Sequence, residues 1–100
     1  MPVPLRVLLL GGAGMVGRNV AEHPGAGAWD LIAPRRGDLD LERQDAVQSF
    51  MRELRPEVVI HAAGLVGGIH ANLMRPVDFL VRNIDMGRHI IMAAHGCGVP

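Results

Sequence analysis

The stretch Arg6–Gly17, "RVLLLGGAGMVG", constrains this chain more than any other. Val7 to Leu10 are uniformly aliphatic, with no polar alternation, as in a strand buried on both faces. Glycine cuts the run off at once. "GGAGMVG" then fits G-x-G-x-x-G through Gly12, Gly14 and Gly17, and equally G-x-x-G-x-x-G through Gly11, Gly14 and Gly17. Such glycines have separable tasks: a tight turn out of the strand, close approach of backbone to a pyrophosphate, and close packing of helix on strand. The helix that follows offers free N–H groups and a positive dipole end to phosphate. A glycine-rich turn without a ligand is the plainer alternative. The strand before the loop and the helix after it favour dinucleotide binding. Gly11, Gly12, Gly14, Met15, Val16 and Gly17 are accordingly expected to contact a cofactor.

The rest of the chain alternates in the same way. The first helix starts near Gly14, carries Met15, Val16, Asn19 and Val20, and is stopped by Pro24 and Gly25. "WDLIA" (29–33) reads as a second strand ended by Pro34. A second helix spans about Arg43 to Leu54, with Val47, Phe50, Met51 and Leu54 on one face. "EVVIHAA" (57–63) is a third, β-branched strand. Pro76 opens a third helix that runs to about His95, with Val77, Leu80, Val81, Ile84, Ile91 and Ala94 expected as its buried stripe. Gly96 and Gly98 end it.

Alternating strands and helices imply an α/β fold: a Rossmann-like parallel sheet, the β-α-β-α-β-α half of a doubly wound fold. Residues 1–100 are expected to be the N-terminal part of an NADP-binding Rossmann domain, stopping at "GVP" before a fourth strand. In a sheet of order 3-2-1-4 that strand would pair with the first. Its absence is expected to leave strand 6–10 at an open edge, which invites a second copy or a complementing chain. The chain is therefore expected to be a fragment, a truncation, or a domain completed by something else.

Composition excludes several functions. Formal net charge is zero, so nothing draws the chain in bulk to nucleic acid or anionic membrane. A lone cysteine, Cys97, permits no internal disulfide and suits a reducing compartment. The N-terminal apolar run is too short for a secretion signal, and no segment approaches a membrane span. A cytoplasmic location is expected. The ten basic side chains are all arginine, and the chain holds no tyrosine, no lysine and one serine, Ser49. Chemistry that needs a Tyr or Lys acid/base is not carried here.

The end of the second strand bears on which dinucleotide binds. An NAD site usually places an acid there, about 20 residues past the glycines, on the ribose hydroxyls. Here the sequence is "APRRGD", with Arg35 and Arg36 in that place. Guanidinium groups favour the 2′-phosphate of NADP; a solvated arginine pair in a turn is the alternative. In "GDLDL" (37–41), Asp38 or Asp40 would accept from the adenine amino group while Leu39 and Leu41 cover the ring. Asp40 reads equally well as a helix cap.

The glycine loop, "GDLDL", and "HAAG" after the third strand together resemble the extended short-chain dehydrogenase/reductase family. The resemblance implies that Ala62, Ala63 and Gly64 lie along the cofactor. "VGGIHAN" (66–72), then Pro76, Phe79 and Asn83, then the run from His89 to His95, resemble its GDP-L-fucose synthase branch, as does "GMVG" (14–17). This covers nearly the whole chain, and the 66–95 run is its most specific part. It implies an NADPH-dependent epimerase-reductase acting on a GDP-4-keto-6-deoxy sugar. The catalytic Ser, Tyr-x-x-x-Lys, Cys and His of such enzymes follow the fourth strand, so no catalytic residue is carried over, and Cys97 does not match. Ala13 stands where relatives have a basic residue, which leaves Arg36 as the matching phosphate contact.

The remaining polar residues are less telling. His61 and His70 lack zinc-site spacing, and no metal site is expected. His61 reads as a strand-end residue, and His89 and His95 as helix-surface residues. His70 belongs either near the nicotinamide or on an exposed loop, and Asn72 is read as a loop anchor. Asn83 is disfavoured within a helix. It is either a support beneath the active site, as the resemblance implies, or a buried, paired polar group. The competing functional class is an NADP-binding module without catalysis, or a piece complemented by a partner. Another sugar-nucleotide epimerase or reductase of the same superfamily is a third reading.

Overall fold

The computed structural model describes residues 3–65 and 73–100. Strand β1 (Leu5–Leu10) leads through helix α1 (Met15–Glu22) and a short 3-10 turn at Pro24–Ala28 into β2 (Trp29–Ile32). Helix α2 (Gln44–Leu54), strand β3 (Val58–His61) and helix α3 (Pro76–Gly96) follow. The three strands form one parallel sheet in the order β2-β1-β3. Leu5 registers with Trp29 on one side of β1, and Val7 with Val58 on the other. Main-chain bonds extend the β1–β3 ladder at both ends, Glu57 N–H to Arg6 O at 2.9 Å and Ala62 N–H to Leu10 O at 2.8 Å.

This order corrects the expectation of an open edge at strand 6–10. β1 is the central strand, flanked on both sides. The crossover through α2 returns the chain past β1 rather than beyond β2, so β3 occupies the flank assigned in advance to a fourth strand. That is why Val7, Leu8, Leu9 and Leu10 are all buried at 1% exposure or less. Four aliphatic side chains on alternating faces need a cover on each face. Leu8 and Leu10 join Leu39, Val47, Met51, Ile90 and Ala93 in one core cluster beneath α2 and α3. Right-handed crossovers running in opposite directions from β1 place α1 on the other face. Full burial of each leucine contributes about 1.5–3 kcal/mol.

α2 buries the face its spacing predicts: Val47 and Met51 are buried, with Phe50 and Leu54 packed against them. It ends at Arg55, which adopts a left-handed conformation (φ 50°, ψ 63°) and donates its N–H to Met51 O. Pro56 disfavours a further right-handed turn there.

α3 departs from its expected stripe. Met86, His89, Ile90 and Ala93 are buried, whereas Val77, Leu80, Val81, Ile84 and Ile91 are exposed and Ala94 only partly packed. Helical spacing gives two candidate faces on a helix this apolar. The face carrying Met86, Ile90 and Ala93 meets α2 and the sheet, because its shorter and polar members also find partners there. His89 is likewise not a surface residue: it is 6% exposed, and its Nδ1 lies 2.9 Å from Leu41 O. His95 is exposed as expected. Among the described residues, no helix is long and apolar enough to cross a membrane.

Candidate functional site

The strand order reverses between β1 and β3, and in open α/β sheets ligands bind beyond the carboxyl ends of the strands at such a point. A cleft of about 860 Å³ opens there. Its floor is Leu10, Gly11 and Gly12, with Ala13 and Gly14 at the entry to α1. One wall is the β3 exit, Ala62 to Gly64. The other is the segment after β2, and Arg82 and Met86 of α3 close the end.

The glycine loop divides its tasks as its chemistry suggests, in the 11-14-17 spacing. Gly11 has φ +86°, and a Cβ on it would lie 2.5 Å from the Ala62 carbonyl and the Ala63 nitrogen. It makes the turn and lets the two strand ends close on each other. A Cβ on Gly17 would lie 2.0 Å from Gly11 O, so this glycine sets the close packing of α1 on the loop. Gly14 differs. Its φ is −77°, and a Cβ there would meet only Gly11 O, at an ordinary 3.5 Å. The surrounding structure leaves room for a Cβ at position 14, which lines the cleft. Gly14 is also the N-cap of α1, with no side-chain cap and no acid in the first turn. The first N–H groups of a helix have no intrahelical acceptor, and here they begin beside the cleft.

The segment after β2 supplies Pro34, Arg35, Arg36 and Leu39 to Glu42. Leu39 is buried at 6% exposure and belongs to the core as well as the cleft, while Leu41 is partly buried against the same cluster. Two acids shape the turns. Asp38 Oδ2 accepts from Arg35 N–H at 3.2 Å, and Asp40 Oδ1 accepts from Glu42 N–H at 3.0 Å. Asp40 is not the cap of α2, whose N-cap is Arg43.

Of the expected cofactor residues, the structure brings Gly11, Gly12, Gly14, Arg36, Leu39, Asp40, Leu41, Ala62, Ala63 and Gly64 together around the cleft. Met15, Val16, Gly17 and Asp38 do not line it: the Met15 and Val16 side chains face solvent, and Gly17 is buried. His70, Asn72 and the 66–72 run lie outside the described residues.

Sequence reasoning missed Glu42, Arg82 and Met86. Arg82 donates Nε to Glu42 Oε1 at 2.6 Å and Nη2 to Oε2 at 2.7 Å. This fork holds the Glu42 carboxyl below its usual range and raises the Arg82 pKa. The partners stand 40 residues apart, so no local pattern announces them. Asn83, the next residue, accepts from Leu65 N–H at 2.6 Å and donates Nδ2 to Leu65 O at 3.2 Å. It is a paired polar group, and it fixes the β3 exit to α3 as a neighbouring strand would. Adjacent α3 residues thus fasten opposite walls of the cleft.

The residues present fit a dinucleotide: an unfilled position at Gly14, a helix N-terminus, two arginines beyond β2, and apolar side chains at Leu39, Leu41 and Met86. Known proteins share this sequence and fold. The NAD dependent epimerase/dehydratase family matches residues 7–100. The GDP-L-fucose synthase of Azorhizobium caulinodans is 45% identical over 89 residues, covering 89% of this chain and 28% of that protein. The GDP-L-colitose synthase of Yersinia pseudotuberculosis is 41% identical over 90 residues, covering 90% and 29%. Among solved structures, the GDP-mannoheptose C4 reductase from Campylobacter jejuni with NADP bound superposes with a TM-score of 0.88 at 28% identity, covering 99% of this chain and 32% of that one. This chain thus spans under a third of the length of these relatives. With nearly every residue matched, and with a glycine-floored cleft at the switch point of a Rossmann-like sheet, the chain belongs to the NAD-dependent epimerase/dehydratase family.

Proposed function

We propose that this chain is the NADP(H)-binding half of a GDP-L-fucose synthase-like epimerase-reductase, and that it does not catalyse by itself. The observation that carries the reading is the pairing of an unobstructed glycine loop with Arg35 and Arg36 across one cleft. The pyrophosphate would lie over Gly11 to Gly14, at the N–H groups of α1. The 2′-phosphate would take Arg36, and the adenine would lie between Leu39, Leu41 and the α3 side. Ala62, Ala63 and Gly64 would run along the ribose and pyrophosphate. Bound there, the nicotinamide supplies a hydride; the chain's own residues bind and orient it. The similarity to GDP-L-fucose synthase supports a GDP-linked keto sugar as the substrate class of the whole enzyme.

The absence of Tyr and Lys from these 100 residues favours a second reading for the chain alone, a cofactor-binding module without turnover. Calorimetric titration of the purified chain with NADP⁺ and NAD⁺ tests the binding. NADP⁺ should bind more tightly, and Arg36→Ala should abolish that preference, a loss of roughly tenfold for a charge-assisted phosphate contact. An unchanged preference would remove Arg36 from the site. Turnover of a GDP-keto sugar by the purified chain would overturn the claim that it is inactive alone.

A further inference from the structure

The cleft carries a carboxylate that a phosphate site would not be expected to tolerate. Glu42 shares the lining with Arg35 and Arg36. A free carboxylate beside a guanidinium competes for it with any anionic ligand. Here the competition is suppressed: both Glu42 oxygens are taken up by Arg82, at 2.6 and 2.7 Å. Arg82 is itself oriented by Asp78, 3.7 Å from Nη1 one helical turn earlier. The Arg82 bond is the main cause of the lowered Glu42 pKa. Arg36 lines the same cleft as Glu42, within which a released carboxylate could turn toward it, and the charge of Arg36 also acts to lower the Glu42 pKa.

The backbone of this segment has its own fastening. Leu41 O meets His89 Nδ1 at 2.9 Å, Leu39 is packed in the core, and Asp40 closes the local turn. Loss of Arg82 therefore frees a side chain, not the loop. Both members of the pair keep a third or more of their side-chain surface exposed, so its worth lies in placement more than stability.

We infer that Arg82 is a positioning residue for phosphate recognition: by occupying both Glu42 oxygens it keeps that carboxylate off Arg36 and leaves Arg36 available to the phosphate monoester that distinguishes NADP from NAD. The inference rests on the proposed dinucleotide site and goes further, because it assigns cofactor preference to a residue on α3 that need not touch the phosphate.

The test is a cycle of variants titrated with NADP⁺ and NAD⁺, each checked for folding by circular dichroism. Arg82→Met should weaken NADP⁺ binding roughly tenfold more than it weakens NAD⁺ binding. Adding Glu42→Gln to Arg82→Met should restore NADP⁺ binding, because the competing charge is gone. Glu42→Gln alone should keep the preference. Equal weakening of both cofactors by Arg82→Met, no weakening of either, or no recovery in the double variant would each overturn the inference. Those outcomes leave the dinucleotide site standing. A wild-type chain that binds neither cofactor would remove the site, and the inference with it.

Discussion

Gly14 and Gly17 look alike in the sequence and differ in what they would suffer. A Cβ at position 17 would sit 2.0 Å from Gly11 O and 2.8 Å from Gly12 Cα, and backbone there has nowhere to go. Gly17→Ala should destabilise the chain by about 1–3 kcal/mol, read from the urea midpoint. Gly14→Ala meets nothing closer than 3.5 Å. It should lower stability by no more than about 1 kcal/mol, the cost of alanine at a helix N-cap, and still abolish cofactor binding. A Gly14→Ala variant that binds NADP⁺ normally would show that the ligand does not approach there. The glycine spacing was legible in the sequence. Which glycine serves the fold and which serves the ligand was not, since that depends on how closely the start of α1 folds back onto Gly11 and Gly12.

At the scale of elements, α2 was readable and α3 was not. In α2 the apolar residues occupy a single face, so periodicity and burial coincide at Val47 and Met51. In α3 apolar residues go almost all the way round, and spacing alone cannot choose a side. Its polar residues make the choice: Arg82, Asn83 and His89 each find a partner on the inner side, and Ile84 and Ile91 are left outside. The end of α2 offers a direct test of local backbone cost. Arg55 holds φ 50°, a conformation that costs an ordinary residue about 1–2 kcal/mol, against a smaller entropic cost for glycine. Arg55→Gly should therefore raise stability by roughly 0.5–1 kcal/mol in urea unfolding. A fall in stability would mean that the Arg55 side chain contributes more than its backbone costs.

The molecule as a whole measures 53 × 30 × 23 Å, and α3 leaves Val77, Leu80, Val81, Ile84 and Ile91 exposed. Its stability should fall in acid in two stages. His61 is exposed, but partial desolvation of its ring still lowers its pKa from 6.5. A group favoured neutral in the folded state adds stability above pH 6.5, and that term is lost as pH falls toward the folded value. Glu42, lowered from 4.5 by the Arg82 bond, adds stability above pH 4.5 that is lost as pH falls through its folded value. The urea midpoint should thus be flat near neutrality, drop below pH 6.5, and drop again below pH 4.5. His61→Gln should remove the first step, and Glu42→Gln should reduce the second, leaving the part below pH 3.8 that comes from Asp45, held low by its bond with Arg43. Persistence of the first step in His61→Gln would assign it to another group.

The sequence by itself determined the alternation of strands and helices, the glycine turn that opens the cleft, and the arginines beyond the second strand. Each is a local pattern, set by side-chain period, backbone freedom or residue type over a few positions. Only the tertiary structure decided that β1 is central, which face of α3 is buried, and that Arg82 and Asn83 hold opposite walls of the cleft. Those facts depend on which distant segments share space. Leu10 lies beside His61, and Glu42 faces Arg82, because one crossover turns back past β1, a choice of direction that no short stretch of sequence encodes.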